Sequence, residues 1–198
     1  MTKFRTLVLL GVLSLIAVPA RAQENQGPSQ EEMAVWMAYM TPGEAHQELA
    51  KMAGEWNHSL QMWMAPGAPA METTATSHGE MILDGRYLVE EFEGNMMGMP
   101  FVGHSLTGFD NAKKKYFSAW IDNMGTGIMT GWGEVDPATQ TLTITGTFVD
   151  PADGQDKPFR QVMQKVDDNH HIMEMYMPSP DGSGEFKSME IHSLRKTS

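Results

Sequence analysis

The sequence predicts a mainly β protein: a single closed antiparallel up-and-down β-barrel of about ten strands, with two α-helices ahead of it. Three observations lead there. After Gly54 no helical period returns, the chain breaks into short β-like runs, and Gly, Asn, Asp and Pro separate those runs. An open sheet of that many strands would expose two edges, and closure removes both.

The helices carry their own start signals. Ser29 followed three residues later by Glu32 fits a capping box, and Met33, Trp36, Met37 and Met40 then recur at helical spacing. In the second helix Thr41 can cap, Pro42 fits the first helical position and Glu44 completes the box. Ala45, Leu49, Met52 and Ala53 form one apolar stripe that Gly54 ends. These helices are expected to lid or plug one end of the sheet.

The β-like runs are 55–64, 72–83, 87–93, 101–109, 116–122, 127–135, 141–149, 159–166, 171–177 and 185–195. Their breakers are Asp84-Gly85, Gly94-Asn95, Asp110-Asn111, Asp136-Pro137, Asp153-Gly154, Asp167-Asp168-Asn169 and Asp181-Gly182. Alternation gives each strand two faces. The threonines at 141, 143, 145 and 147 share one face, while Leu142, Ile144 and Phe148 share the other. Tyr116, Ser118, Trp120 and Asp122 lie together, opposite Phe117, Ala119 and Ile121. Bulk on both faces suits a wall whose inner side lines a cavity.

At the start of the chain Lys3 and Arg5 precede an apolar run at 7–18, and Ala20-Arg21-Ala22 supplies small residues for cleavage. The expected organisation is a secretory signal peptide at 1–22, a helical segment at 23–53 and a barrel domain at 54–198. The apolar run is shorter than the roughly 20 residues that span a bilayer, so no membrane span is expected. With no cysteine, disulfides, thiol nucleophiles and Cys-based metal sites are excluded. The leader takes Lys3, Arg5 and Arg21 with it, leaving 11 basic against 25 acidic residues and a net charge of −14. That balance argues against nucleic acid as a partner.

Gly54-Glu55-Trp56 resembles the G-x-W motif of the calycins, the lipocalins and fatty-acid-binding proteins. A wider set adds His46-x-x-Leu49, Leu83-x-Gly85-Arg86-Tyr87, Pro100-Phe101-x-Gly103, Gly108-Phe109-Asp110-Asn111 with Lys114-Lys115-Tyr116, and Trp120-Ile121-Asp122-x-x-Gly125-Thr126. With Gly131-x-Gly133, Asp150-Pro151, Arg160, Met189-Glu190-Ile191 and Arg195, the chain is similar to the bacterial family of unknown function DUF1579. The resemblance implies a calycin-like barrel and brings no catalytic residues. Phe109 departs from it, standing where the family usually has tyrosine. An exported member of a bacterial family would lie in the periplasm.

Candidate chemistry sits on the strands. Glu90, Asp122, Arg160, Glu190 and Arg195 fall within apolar runs, and a charge facing a lumen must be paired, hydrated or ligand-bound. An inward Arg160 or Arg195 could hold an anionic head group in bidentate fashion, whereas outward placement would make these groups solvated or part of a structural network. The 19 methionines also ask for an account. His171, Met173, Met175 and Met177 alternate on one strand face, and soft thioethers with imidazole could hold Cu(I). Ligands two apart on one strand are ~6.6 Å apart, so a second strand would have to contribute. A flexible apolar lining or a plain core uses methionine equally well. Neither H-E-x-x-H nor G-x-S-x-G is present, and no phosphate loop or dinucleotide fingerprint follows a strand.

The leading expectation is a carrier barrel for a small hydrophobic or amphipathic molecule, with no cofactor and no assigned catalytic residue. Trp120, Trp132, Met175 and Phe148 would line the lumen, and Arg160, Asp122 or Glu90 would orient the guest. It implies an internal cavity of several hundred Å³. The alternatives are a copper-handling protein using His171, Met173, Met175 and Met177, an enzyme with carboxylates assembled from distant strands, or a protein-interaction module.

Overall fold

The computed structural model describes residues 27–197, and the expected signal peptide lies outside them. Two helices, α1 (Gln30–Met40) and α2 (Glu44–Ala50), precede ten strands. These are β1 (Gly54–Met62), β2 (Met71–Ile82), β3 (Tyr87–Met96), β4 (Met99–Asp110), β5 (Lys115–Asp122), β6 (Met129–Asp136), β7 (Thr141–Asp150), β8 (Gln155–Asp167), β9 (His170–Pro178) and β10 (Glu185–Arg195). Each strand pairs antiparallel with the next, and β10 returns to pair with β1, closing the barrel.

The hairpins are locally determined. Asp110, Asp136, Asp150, Asp167 and Asp181 each accept a hydrogen bond from the backbone N–H two residues on, at 2.7–2.9 Å. Such Asx turns set the reversal without help from distant contacts. Part of the acidic surplus is therefore turn chemistry.

α1 begins as its sequence predicts, with the Ser29 and Glu32 box intact. The second helix starts differently from expectation. Gly43 rather than Thr41 is its N-cap, and the Gly43 N–H donates to the His46 ring at Nδ1, 3.0 Å away. Thr41 instead terminates α1, where its hydroxyl donates to the Met37 carbonyl. Only α2 plugs the barrel. Its Leu49 packs with Leu88, which is 0% exposed, and with Tyr116, and around them lie Ala45, Met52, Ala53, Met81, Phe109 and Leu142. α1 buries none of its residues, and Asn111 and Arg86 tether its last carbonyls.

A second core cluster, Ile144, Phe159 and Met175, lies within the β7–β9 wall. Gly133 and Gly146 make a close approach possible there. A Cβ at either would stand 2.0 or 1.9 Å from a carbonyl oxygen of the neighbouring strand, so no other residue fits this corner.

At the plugged end Arg195 locks the seam. Its guanidinium donates to the carbonyls of Lys51, Ala53 and Asp168 and lies 4.2 Å over the Trp56 ring. Gly54 has φ +115°, and a Cβ there would meet the guanidinium at 2.9 Å. Glycine followed by tryptophan two residues on is thus the receptor for this arginine.

Arg195→Ala removes several charge-assisted hydrogen bonds and a cation–π contact at once, and is expected to cost about 3 kcal/mol in urea unfolding. Arg195→Lys should recover less than half of it, because an ammonium cannot reach three carbonyls as a planar fork does. A lysine variant as stable as the wild type would contradict this role.

Candidate functional site

Strand register decides which side chains enter the lumen. Trp56, His58, Leu60 and Met62 of β1 alternate inward, and their partners on β10 are Arg195, Ser193, Ile191 and Met189. The set continues through His171, Met173, Met175 and Met177 of β9, then Phe159 and Gln161 of β8 and Ile144 and Phe148 of β7. On the other side come Ser77 and Gly79 of β2, Leu88, Glu90 and Phe92 of β3, Ser105 of β4, and Tyr116, Ser118, Trp120 and Asp122 of β5.

The two ends of this tube differ. The α2 end is sealed by Leu49, Trp56, Leu88 and Tyr116, all buried. Towards the other end the inward side chains Leu60, Phe92, Trp120, Phe148, Met173, Met177 and Met189 are only half-buried. Their accessible surface lies towards the mouth opposite α2. Exposed methionines stand at the turns of this open end, at Met64, Met97, Met99 and Met124.

Polar groups gather just above the floor. His58 is buried, with Nδ1 2.8 Å from Ser193 Oγ and Nε2 2.9 Å from Ser77 Oγ. Burial holds its pKa down to about 4, so the ring is neutral. Glu90 lies deep in the tube yet keeps accessible surface, and Ser105 donates to it at 2.9 Å. Burial pushes its pKa up to about 6 against the weaker opposing pull of that hydrogen bond. His171, 8% exposed and 4.9 Å from the Trp56 ring, leaves its buried Nε2 without a partner among the described residues. An orphaned buried nitrogen needs a guest or a water to satisfy it.

An aromatic wall flanks Glu90. Phe92 lies 5.3 Å from Trp120 and 5.2 Å from His58, and Phe101 stacks on Trp120 at 6.2 Å. The Trp120 indole N–H donates to Asp122 at 2.8 Å. Opposite stands a belt of methionine. Met175, Met189, Met62 and Met71 are successive cross-strand partners on β9, β10, β1 and β2.

Of the residues singled out in the sequence, Glu90, Trp120, Asp122, Phe148 and Met175 face inward. Trp132 and Arg160 instead sit on the outer wall. Trp132 is 39% exposed, 5.3 Å from Phe117, with the Lys113 ammonium 3.8 Å over its ring. Arg160 lies 3.9 Å over Tyr176 and pairs with Glu185, whose carboxylate raises its pKa. Glu190 also faces outward. It and Glu174 share the Lys187 ammonium, whose hydrogen bond holds Glu190 below the ordinary carboxylate range. With Arg195 spent on backbone carbonyls, no arginine among the described residues is left to clasp an anionic head group inside. His171, Met173, Met175 and Met177 do share one inward face, but among the described residues no three His, Asp or Glu side chains could hold a metal together.

Two clefts open outside the lumen. One of about 230 Å³ crosses β7–β10 between Thr141, Gln164, Glu174, Glu190 and His192. The other, about 490 Å³, runs over β1–β3 beside Asn57, Thr74, Thr76, Glu93 and Asn95. Neither contains the Glu90 cluster.

The shifted pKa values make opposing contributions to stability. Glu90 binds its proton more tightly folded than unfolded, so stability is lost as pH rises from 4.5 through about 6. The charged form then costs about 2 kcal/mol at neutral pH. His58 excludes a proton that the unfolded chain accepts, so its stability is present above 6.5 and lost as pH falls towards about 4. Glu90→Gln should therefore raise stability at neutral pH by about 2 kcal/mol and steepen the acid loss between about pH 6 and 4.5. Chemical denaturation across that range checks both, and an unchanged stability at neutral pH would show that the carboxylate is already compensated.

Among solved structures the chain is similar to the S-type phycobiliprotein lyase CPES from Guillardia theta. The TM-score is 0.56 at 8% identity, covering 86% of this chain and 99% of that one, which shows a shared fold. No curated protein matches the chain. Residues 41–195, from the cap of α1 to the locking arginine, match the family described as protein of unknown function, DUF1579. The chain belongs to the DUF1579 family, and its fold is a calycin-like barrel.

Proposed function

We propose that this protein binds a small, mostly apolar molecule in the barrel lumen, entering at the end opposite α2. The observation that supports this is the half-exposure of inward aromatic and methionine side chains towards the end opposite α2, although the barrel is closed. A protein that needed the barrel only as a scaffold would gain stability by filling it. Phe92, Trp120 and Phe148 offer flat apolar surface, while the methionine belt can adapt its shape to the guest. The fold neighbour named as a phycobiliprotein lyase shares this architecture, and a barrel closed at one end suits the handling of small molecules. In this reading the protein works outside the cytoplasm, exported by the leader that Lys3, Arg5 and the apolar run at 7–18 form.

The uncharged probe N-phenyl-1-naphthylamine should bind with blue-shifted emission and saturate at one per chain. Trp120→Ala should weaken it about tenfold. Absence of saturable binding by the folded protein would overturn the reading.

The register of the methionine belt favours a second reading, Cu(I) binding. Directly paired strand positions stand ~5 Å apart at Cβ, close enough for thioethers of Met175, Met189 and Met62 to share one ion. Titration with Cu(I) should then show a site that Met175→Leu with Met189→Leu weakens at least about tenfold. Equal binding by the double variant would dispose of it.

A further inference from the structure

We propose that the lumen selects a cation: an amine whose apolar body fills the barrel and whose protonated nitrogen pairs with the Glu90 carboxylate. This rests on the reading above and adds the charge of the guest.

The argument begins with what Glu90 lacks. Ser105 supplies one hydroxyl donor, which does not offset the desolvation of a carboxylate. The basic side chains of β8–β10 face outward or are committed elsewhere. Arg160 pairs with Glu185, Lys157 with Asp153, Lys165 with Asp168 and Lys187 with Glu174 and Glu190. Arg195 is spread over the carbonyls of Lys51, Ala53 and Asp168. Among the described residues no cation pairs with Glu90.

The neighbouring strands do not supply the missing charge either. His58 on β1 has both ring nitrogens against serine hydroxyls, and its burial keeps it neutral. Asp122 on β5 is a second acid, already accepting from the Trp120 indole and the Met124 N–H. On β2 the register partner is Gly79, whose missing Cβ would lie 3.3 Å from the Glu90 side chain and 3.4 Å from the Met52 carbonyl. The turn after α2 therefore reaches this level with backbone oxygen, not with a cation. Among the described residues, the groups named around Glu90 are neutral or acidic.

What surrounds the carboxylate is suited to a positive charge. Phe92 lies two residues along β3 on the same face, and Trp120 is the register partner of Ser105, so aromatic rings occupy the neighbouring positions, and aromatic rings attract ammonium groups, most strongly away from water. A fatty carboxylate would meet repulsion at the same place. The net negative charge of −11 would draw cations to the molecule in general, so the test has to separate the lumen from the surface.

Decylamine, decanol and decanoate share one chain and differ in head group. Each is titrated against the full-length protein carrying N-phenyl-1-naphthylamine at neutral pH. Decylamine should displace the probe at about tenfold lower concentration than decanol, and decanoate should be the weakest. In Glu90→Gln, and equally in Glu90→Met, the advantage of the amine over the alcohol should shrink to about twofold or less. The amine's advantage should also fall in the wild type as the pH drops below about 6 and Glu90 takes up its proton. Equal displacement by amine and alcohol in the wild type would overturn the cation proposal and leave the carrier reading standing. An advantage retained in Glu90→Gln would place the amine on the acidic exterior and overturn it as well. If the probe itself does not bind, the carrier reading falls first.

Discussion

The closure of the barrel at one seam depends on the Arg195 guanidinium. It joins the last strand to the carbonyl end of α2 and to the β8–β9 turn, and it lies flat on Trp56. Every other strand pairing in the barrel is a hairpin, formed by residues close in the chain. The pairing of β1 with β10 joins residues more than a hundred positions apart, at Trp56 and Arg195, and carries the largest loop-closure cost. A multidentate cation at that point is a direct physical answer, and Gly54 is shaped to admit it.

Closure in turn makes the lumen possible. With no free edges, the strands do not need a filled interior to satisfy their backbone groups. The core is accordingly confined to the α2 end and to one wall, where Leu88, Tyr116, Ile144 and Phe159 are buried. Above that floor the protein leaves inward surface accessible and keeps Glu90 at a cost in stability. The outer wall solves its electrostatics differently, with Lys187 bridging Glu174 and Glu190 and Arg160 meeting Glu185.

Most of the fold was legible because its signals are local. Ten strands were expected and ten are present, since each Asx turn announces itself in a few residues. The grouping of Tyr116, Ser118, Trp120 and Asp122 followed from a period of two. Alternation, however, gives two faces without saying which is inside. Trp132 and Arg160 were assigned inward on their chemistry, yet their neighbours held the signal. Gly131 and Gly133 take the inner positions where strands approach closely, and Phe159 takes the one beside Arg160. The His58, Ser77 and Ser193 cluster had no local signal, because its members are 19 and 135 residues from the histidine. The cap of α2 was misread for a related reason, since a ring nitrogen three residues on replaced the hydroxyl ahead of it.

The ring of hairpins has a topological consequence. Gly54 and Arg195 belong to adjacent strands and lie at the same end of the cylinder. A peptide from the end of β10 to the start of α1 would keep the α2 plug, and the chain could then be opened at any of the Asx reversals without losing a single pairing. Such circular permutants would make the β1–β10 pairing a local hairpin and move the distant seam to the reversal that was cut. Comparing their refolding rates would reveal how much of the folding barrier arises from bringing the first and last strands together.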